Sequence, residues 1–226
     1  QRSAITRLRG KRLVQRLLSG RILYSDAVGT VNIFAIVYIS RLGTFNESDK
    51  NRITLLVVAF AGAGALLAGA LDERFAMVVP NGSGCGGAGC FRVMGPNSET
   101  LELITSPKRF KSWFQKDFGK YGNREDELPF DQHFVKALVA PRLLLSTDAL
   151  GDLWANPLGT QATYLAAQPV FDLLGAPANN ALHFREGGHD QTAEDYAALL
   201  DFAGLHFRGK SCNRRFDVLP FDGRNG

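Results

Sequence analysis

The chain has 226 residues, 45% hydrophobic and 21% charged, which is the composition of a globular protein with one substantial core. Three cysteines (Cys85, Cys90, Cys212) are too few, and odd in number, for a disulfide framework. They point to a reducing compartment, and no second Cys or His pair accompanies Cys85 and Cys90 at zinc spacing. The net charge of +4 is unevenly placed: ten Lys/Arg against three Asp/Glu give +7 in residues 1–52, and sixteen against nineteen give −3 in residues 53–226.

Residues 1–21 carry seven basic side chains and no acid, interleaved with Ile5, Leu8, Leu13, Leu17 and Leu18, a pattern that predicts a basic helix. Three roles suit such an arm. It resembles an Arg-rich, acid-poor organellar transit segment. Arg7, Arg9, Lys11, Arg12 and Arg16 could meet the phosphates of RNA or an anionic lipid surface. It could also dock on a neighbouring protein. The chain does not open with Met, which suggests a processed product. Residues 31–39 form an apolar run too short to cross a membrane.

Residues 53–71 are nineteen positions without a charge, long enough for a membrane span. The run opens on β-branched and leucine residues and turns Gly/Ala-rich, so it reads instead as a buried strand over 53–58 and a packed helix over 62–70. Strands follow over 75–80, 141–146 and 181–184, with helices over 106–118, 130–140, 161–174 and 192–207. Gly175 stops the third of these helices, and Thr192 is placed to cap the last. Alternating strands and helices predict an α/β domain with a mostly parallel sheet. Three segments result: a basic arm with an apolar run over 1–52, the α/β domain over 53–207, and a basic irregular tail over 208–226.

The loop Gly84-Cys85-Gly86-Gly87-Ala88-Gly89 matches a dinucleotide fingerprint in letters. The fingerprint requires a helix on its third glycine, and here Cys90 to Val93 lead into Gly95-Pro96, so a structural loop is expected and no dinucleotide or other cofactor. Of four histidines, His189 in Gly187-Gly188-His189-Asp190 lies between a strand and a helix, where glycines allow an imidazole to turn over the sheet edge as a general base. Asp148 and Asp152, after the strand at 141–146, are the acids placed to orient it. His133 is expected to be a packing residue.

Six blocks together resemble the bacterial-type glucuronoyl esterases: Leu71-Asp72-Glu73-Arg74-Phe75, Gly84-Cys85-Gly86-Gly87-Ala88, Leu128-Pro129-Phe130-Asp131-Gln132-His133, Ala140-Pro141-Arg142, Asp152-Leu153-Trp154-Ala155-Asn156-Pro157 and Gly188-His189-Asp190. The resemblance covers residues 53–207 in order. It implies an α/β-hydrolase fold and cleavage of esters between lignin alcohols and glucuronic acid. It places the catalytic histidine at His189 and the acid at Asp152, or less well at Asp148. Gly82 falls where another form of the family carries its acid. The family's elbow reads Gly-Cys/His-Ser-Arg-x-Gly-Lys. Here Ala59 stands for the serine, Phe60 for the arginine of the oxyanion site and Ala63 for the lysine that would touch sugar hydroxyls.

Loss of the hydroxyl removes the attacking group, and loss of the arginine weakens oxyanion stabilisation. About fifty residues precede the elbow strand, too few for the strands that come before it in the resembling enzymes. The strand at 53–58 would then be an unpaired apolar edge that needs a cover. The expectation is therefore a truncated, non-catalytic hydrolase-like chain serving as a structural or interaction subunit of a larger assembly, with protein partners, in a mitochondrial or other organellar setting. The competing expectation is a working carboxylic ester hydrolase of glucuronate esters whose nucleophile lies elsewhere, with Ser83 and Cys85 as neighbours of the site. A uronate-binding module derived from the same pocket is a third.

Overall fold

The computed structural model describes residues 62–106, 108, 114 and 116–221. The expected strand over 53–58, the elbow around Ala59 and the basic arm lie outside the described residues. The first described element is helix α1, Gly62–Leu71. It leads through an Asp72–Arg74 ion pair into the short strand β1, Met77–Val78. Helix α2, Leu101–Thr105, and helix α3, Gln132–Ala137, precede β2, Leu143–Ala149. Helix α4, Pro157–Leu173, β3, Asn180–Arg185, and helix α5, Ala193–Arg208, complete the order.

The three strands form a parallel sheet in the order β1-β2-β3. Met77 lies opposite Leu143, and Leu144 to Ala149 run opposite Asn180 to Arg185. Every residue of β2 is buried, as expected for a central strand covered on both faces. A core of Ala65, Leu66, Val78, Val139, Leu144 and Phe171 joins α1, the sheet and α4. A second cluster, Cys85, Phe91, Leu101, Ile104 and Leu128, packs with Phe114, Phe118 and Tyr121 beneath the loops. The sheet with flanking helices is that of an α/β-hydrolase.

Several boundaries differ from the sequence expectation, each for a local reason. Most of the helix expected over 106–118 lies outside the described residues; upstream of it stands α2, capped by Thr100, whose hydroxyl accepts from Leu103 N. It ends at Ser106, held extended at ψ 125° as is usual before a proline. Among the described residues, the next helical turn is the 3₁₀ turn Lys116–Tyr121. Helix α3 is shorter than 130–140 because Asp131 is its N-cap; its buried carboxylate accepts from Gln132 N, Phe91 N and Arg92 N. Helix α4 starts four residues early, on Asn156 and Pro157 at its first turn, and stops at Gly175 with φ +70°.

Residues 209–221, beyond α5, have no regular structure, but they are docked. Leu182 N donates to Phe216 O at 2.7 Å, so the tail satisfies the outer edge of β3. Gln161 holds Phe221 through both main-chain polar groups, and Phe216 and Phe221 pack edge-on against Phe202 and Phe184.

Candidate active site

In a parallel α/β sheet the loops that leave the carboxyl ends of the strands are where ligands are met. Three such loops converge here. The loop after β1 supplies Gly82, the loop after β2 supplies Asp152 and Trp154, and the loop after β3 supplies His189. Asp152 Oδ2 lies 2.7 Å from His189 Nδ1. The carboxylate side chain is only 7% exposed, while the imidazole is 72% exposed. A buried acid thus fixes one ring nitrogen and leaves Nε2 toward solvent, as a general base requires. A Cβ placed on Gly82 would lie 3.6 Å from His189 Nδ1 and 3.7 Å from Asp152 Oδ2. A side chain at 82 would therefore face the same imidazole nitrogen that Asp152 occupies.

Asp148 is not part of this pair. Strand β2 runs on to Ala149, three residues beyond the expected end, and takes Asp148 into the interior at 2% exposure. Burial pushes its carboxyl up, opposed by the Thr160 hydroxyl and the ammonium of Lys136. Lys136 is itself fully buried and pushed down, and it donates to Thr160 O at 3.2 Å. Through Thr160 O, Lys136 joins α3 to α4 beside Asp148.

Glu99 is the residue that sequence reasoning missed. It is buried, and its Oε1 accepts from Cys85 N at 2.7 Å. Its carboxyl is pushed up to about 7 by burial, against hydrogen bonds from Cys85 N–H and the Trp154 side chain. Asp152 raises it further and His189 lowers it, so its charge is coupled to the acid–base pair. A carboxyl poised near neutrality can both donate and accept, which suits recognition of a hydroxyl. No motif announces a lone Glu in a loop. Gly84 was its available signal: a Cβ there would sit 1.9 Å from Glu99 Oε1.

Neither alternative nucleophile fits. The Cys85 thiol is 3% exposed, donates to Cys90 O and Glu99 O, and is pushed far up by burial. Ser83 Oγ is engaged by Ala88 N at 2.7 Å within the glycine loop. That loop opens no helix until Leu101. Among the described residues, Asp152 supplies the one hydrogen bond to His189. No group of three His, Cys, Asp or Glu among them is placed to hold a metal.

The remaining sequence blocks hold this geometry. Asn156, in the left-handed region at φ 58°, caps α4 through Gly159 N and donates to Cys90 O and Val93 O. Arg142 donates to Asp72 O, Phe75 O and Leu138 O, joining α1, β1 and α3.

A family profile described as glucuronyl esterase of fungi matches residues 39–175, more than half of the chain. The chain belongs to the glucuronoyl esterase family. A carbohydrate esterase of an unknown prokaryotic organism is 36% identical over 181 residues, covering 74% of this chain and 41% of that protein. The 4-O-methyl-glucuronoyl methylesterase 1 of Phanerochaete chrysosporium is 34% identical over 150 residues, covering 65% of this chain and 32% of the enzyme. A glucuronoyl esterase structure from Caldicellulosiruptor kristjansonii superposes with a TM-score of 0.68 at 36% identity, over 71% of this chain and 44% of that one. The catalytic domain from Hypocrea jecorina gives 0.59 at 28% identity, over 72% and 46%. The chain thus spans less than half the length of these relatives.

Proposed function

We propose that this chain carries the acid–base half of a hydrolase site for esters of glucuronic acid. The observation that carries the reading is the 2.7 Å contact between a buried Asp152 carboxylate and an exposed His189 imidazole. In that role Nε2 takes the proton from a water that attacks the ester carbonyl and returns it to the departing alcohol, leaving free glucuronate, while Asp152 stabilises the imidazolium. Glu99, with Trp154 beside it, would face a sugar hydroxyl.

A second reading is favoured by Ala59 at the position of the family's serine: the chain binds glucuronates without forming an acyl-enzyme. A protein of that kind could serve as a structural subunit of a larger assembly, anchored by the basic arm, in an organelle. Those further roles draw on residues outside the described ones.

Hydrolysis of a benzyl glucuronate by the purified chain, by Ala59→Ser and by His189→Asn tests both readings. Turnover by the unaltered chain that disappears in His189→Asn supports hydrolysis. Silence of the unaltered chain with activity in Ala59→Ser supports the binding reading. Silence of all three, with the proteins folded, contradicts the assignment of the site.

A further inference from the structure

The loop that presents His189 is a poor candidate for rigidity by its own means. Residues 186–190 are all exposed and lie in no helix or strand, and Gly187 has φ +100°. Among the described residues, no backbone–backbone hydrogen bond ties 186–191 to the rest of the chain. Yet a base must be held within a few tenths of an ångström of its acid to function.

Besides the Asp152–His189 and Tyr196–Gln191 side-chain contacts, one buried side chain holds the main chain of the loop. Arg185, the last residue of β3, is 4% exposed and projects its guanidinium under the loop. Nη1 donates to Glu186 O at 3.0 Å and Gly188 O at 3.3 Å, and Nη2 donates to Asp190 O. The carbonyls on both sides of His189 are therefore bound by one planar fork. Nε donates to Asp195 Oδ2 at 2.7 Å, and Asp195 is completely buried. The same carboxylate oxygen accepts from Thr192 N at 2.8 Å and Thr192 Oγ1 at 3.2 Å, which fixes the fork to the first turn of α5.

Arg185 also reaches the other half of the pair. Its carbonyl accepts from Leu150 N at 2.8 Å, two residues before Asp152. Beside it the two loops touch through glycines: a Cβ on Gly151 would come within 2.5 Å of Gly187 O. A buried ion pair brings little net stability compared with apolar packing, and its best-attested use is to fix a register. Here the register it fixes is that of one catalytic loop against the other.

We propose that Arg185 and Asp195 are positioning residues that hold the His189 loop at hydrogen-bonding distance from Asp152. The inference rests on reading Asp152 and His189 as an acid–base pair. Neither residue touches the reacting atoms; they act through the loop carbonyls.

The test is the tautomer of His189, read at about pH 9, where imidazoles are neutral, from a long-range proton–nitrogen correlation spectrum of the whole chain. His189→Gln assigns the signal. In the unaltered chain the proton resides on Nδ1, because Asp152 accepts it. Arg185→Lys keeps a cation opposite Asp195 but gives up the fork, and Asp195→Asn keeps the shape but loses the charge. Both should remain folded and shift the ratio toward the Nε2–H form on the order of tenfold, as loss of about 1.4 kcal/mol would. Arg185→Met should shift it at least as far. A merely structural role would lower thermal stability and leave the ratio unchanged; that result in folded Arg185→Lys and Asp195→Asn overturns the proposal. An Nε2–H tautomer in the unaltered chain would instead overturn the acid–base reading itself.

Discussion

His189 and Asp152 differ by an order of magnitude in exposure, and this asymmetry gives the pair its direction: the carboxylate is desolvated, the imidazole is open to a reactant. Glu99 adds a pH signature at the same place. Its folded-state value of about 7 exceeds the ordinary 4.5, so the folded protein keeps a proton that the unfolded chain releases between those values. Stability from this group is therefore complete below pH 4.5 and declines as pH rises through about 7. At 1.36 kcal/mol per unit the full shift would be about 3 kcal/mol, and residual solvent contact reduces it to about 2. Glu99→Gln should remove that part of the pH dependence in urea titrations at acid and at neutral pH. An unchanged dependence would contradict the raised value. A second prediction concerns Lys136 and Asp148. Lys136→Met alone or Asp148→Leu alone strands a buried polar group and should cost about 3 kcal/mol, while the two together should recover part of that loss. Additive losses in the double-mutant cycle would exclude the coupling. At this scale motif and loop position singled out His189 and Asp152, whose side chains meet at 2.7 Å. Loop position alone left Asp148 open beside Asp152, because the three extra residues of β2 that bury Asp148 depend on pairing with β3.

Elements were legible wherever local chemistry decides them. Thr192 before α5 and Gly175 after α4 are cap and stop signals that the structure uses as expected. Helix α2 shows the opposite case: with five residues it has no periodicity to read, and its Thr100 cap and Ser106 before Pro107 set its ends. The tail offered no periodicity at all, since a single strap along β3 is held by isolated contacts rather than by a repeat. Those contacts are specific enough to test. Phe216 is half-buried, and Phe216→Ala should cost about 1–2 kcal/mol by lost packing on Phe202. It should also increase hydrogen exchange at Leu182 N, which loses its ordered acceptor; full protection at that amide in the variant would show that the strap is not what covers the edge.

Among the described residues, three parallel strands bring their carboxyl-end loops together around Asp152 and His189, in a chain that covers 41% of one curated relative and 32% of another. Among the described residues, no helix is long and apolar enough to cross a membrane. The family was legible because its blocks are structural as well as chemical: Asp131 caps and ties a loop, Asn156 caps and ties another, and Arg142 joins three elements. The site's polar wall was less legible, because Glu99 is brought to Cys85 and Trp154 by packing alone.

The most direct measurement is titration of the folded chain with methyl glucuronate, following the His189 ring and Trp154 indole resonances. The account predicts saturable shifts at both, with affinity on the order of millimolar, weakened in Glu99→Gln. Absence of any shift at either residue up to tens of millimolar would contradict a glucuronate site at Asp152 and His189.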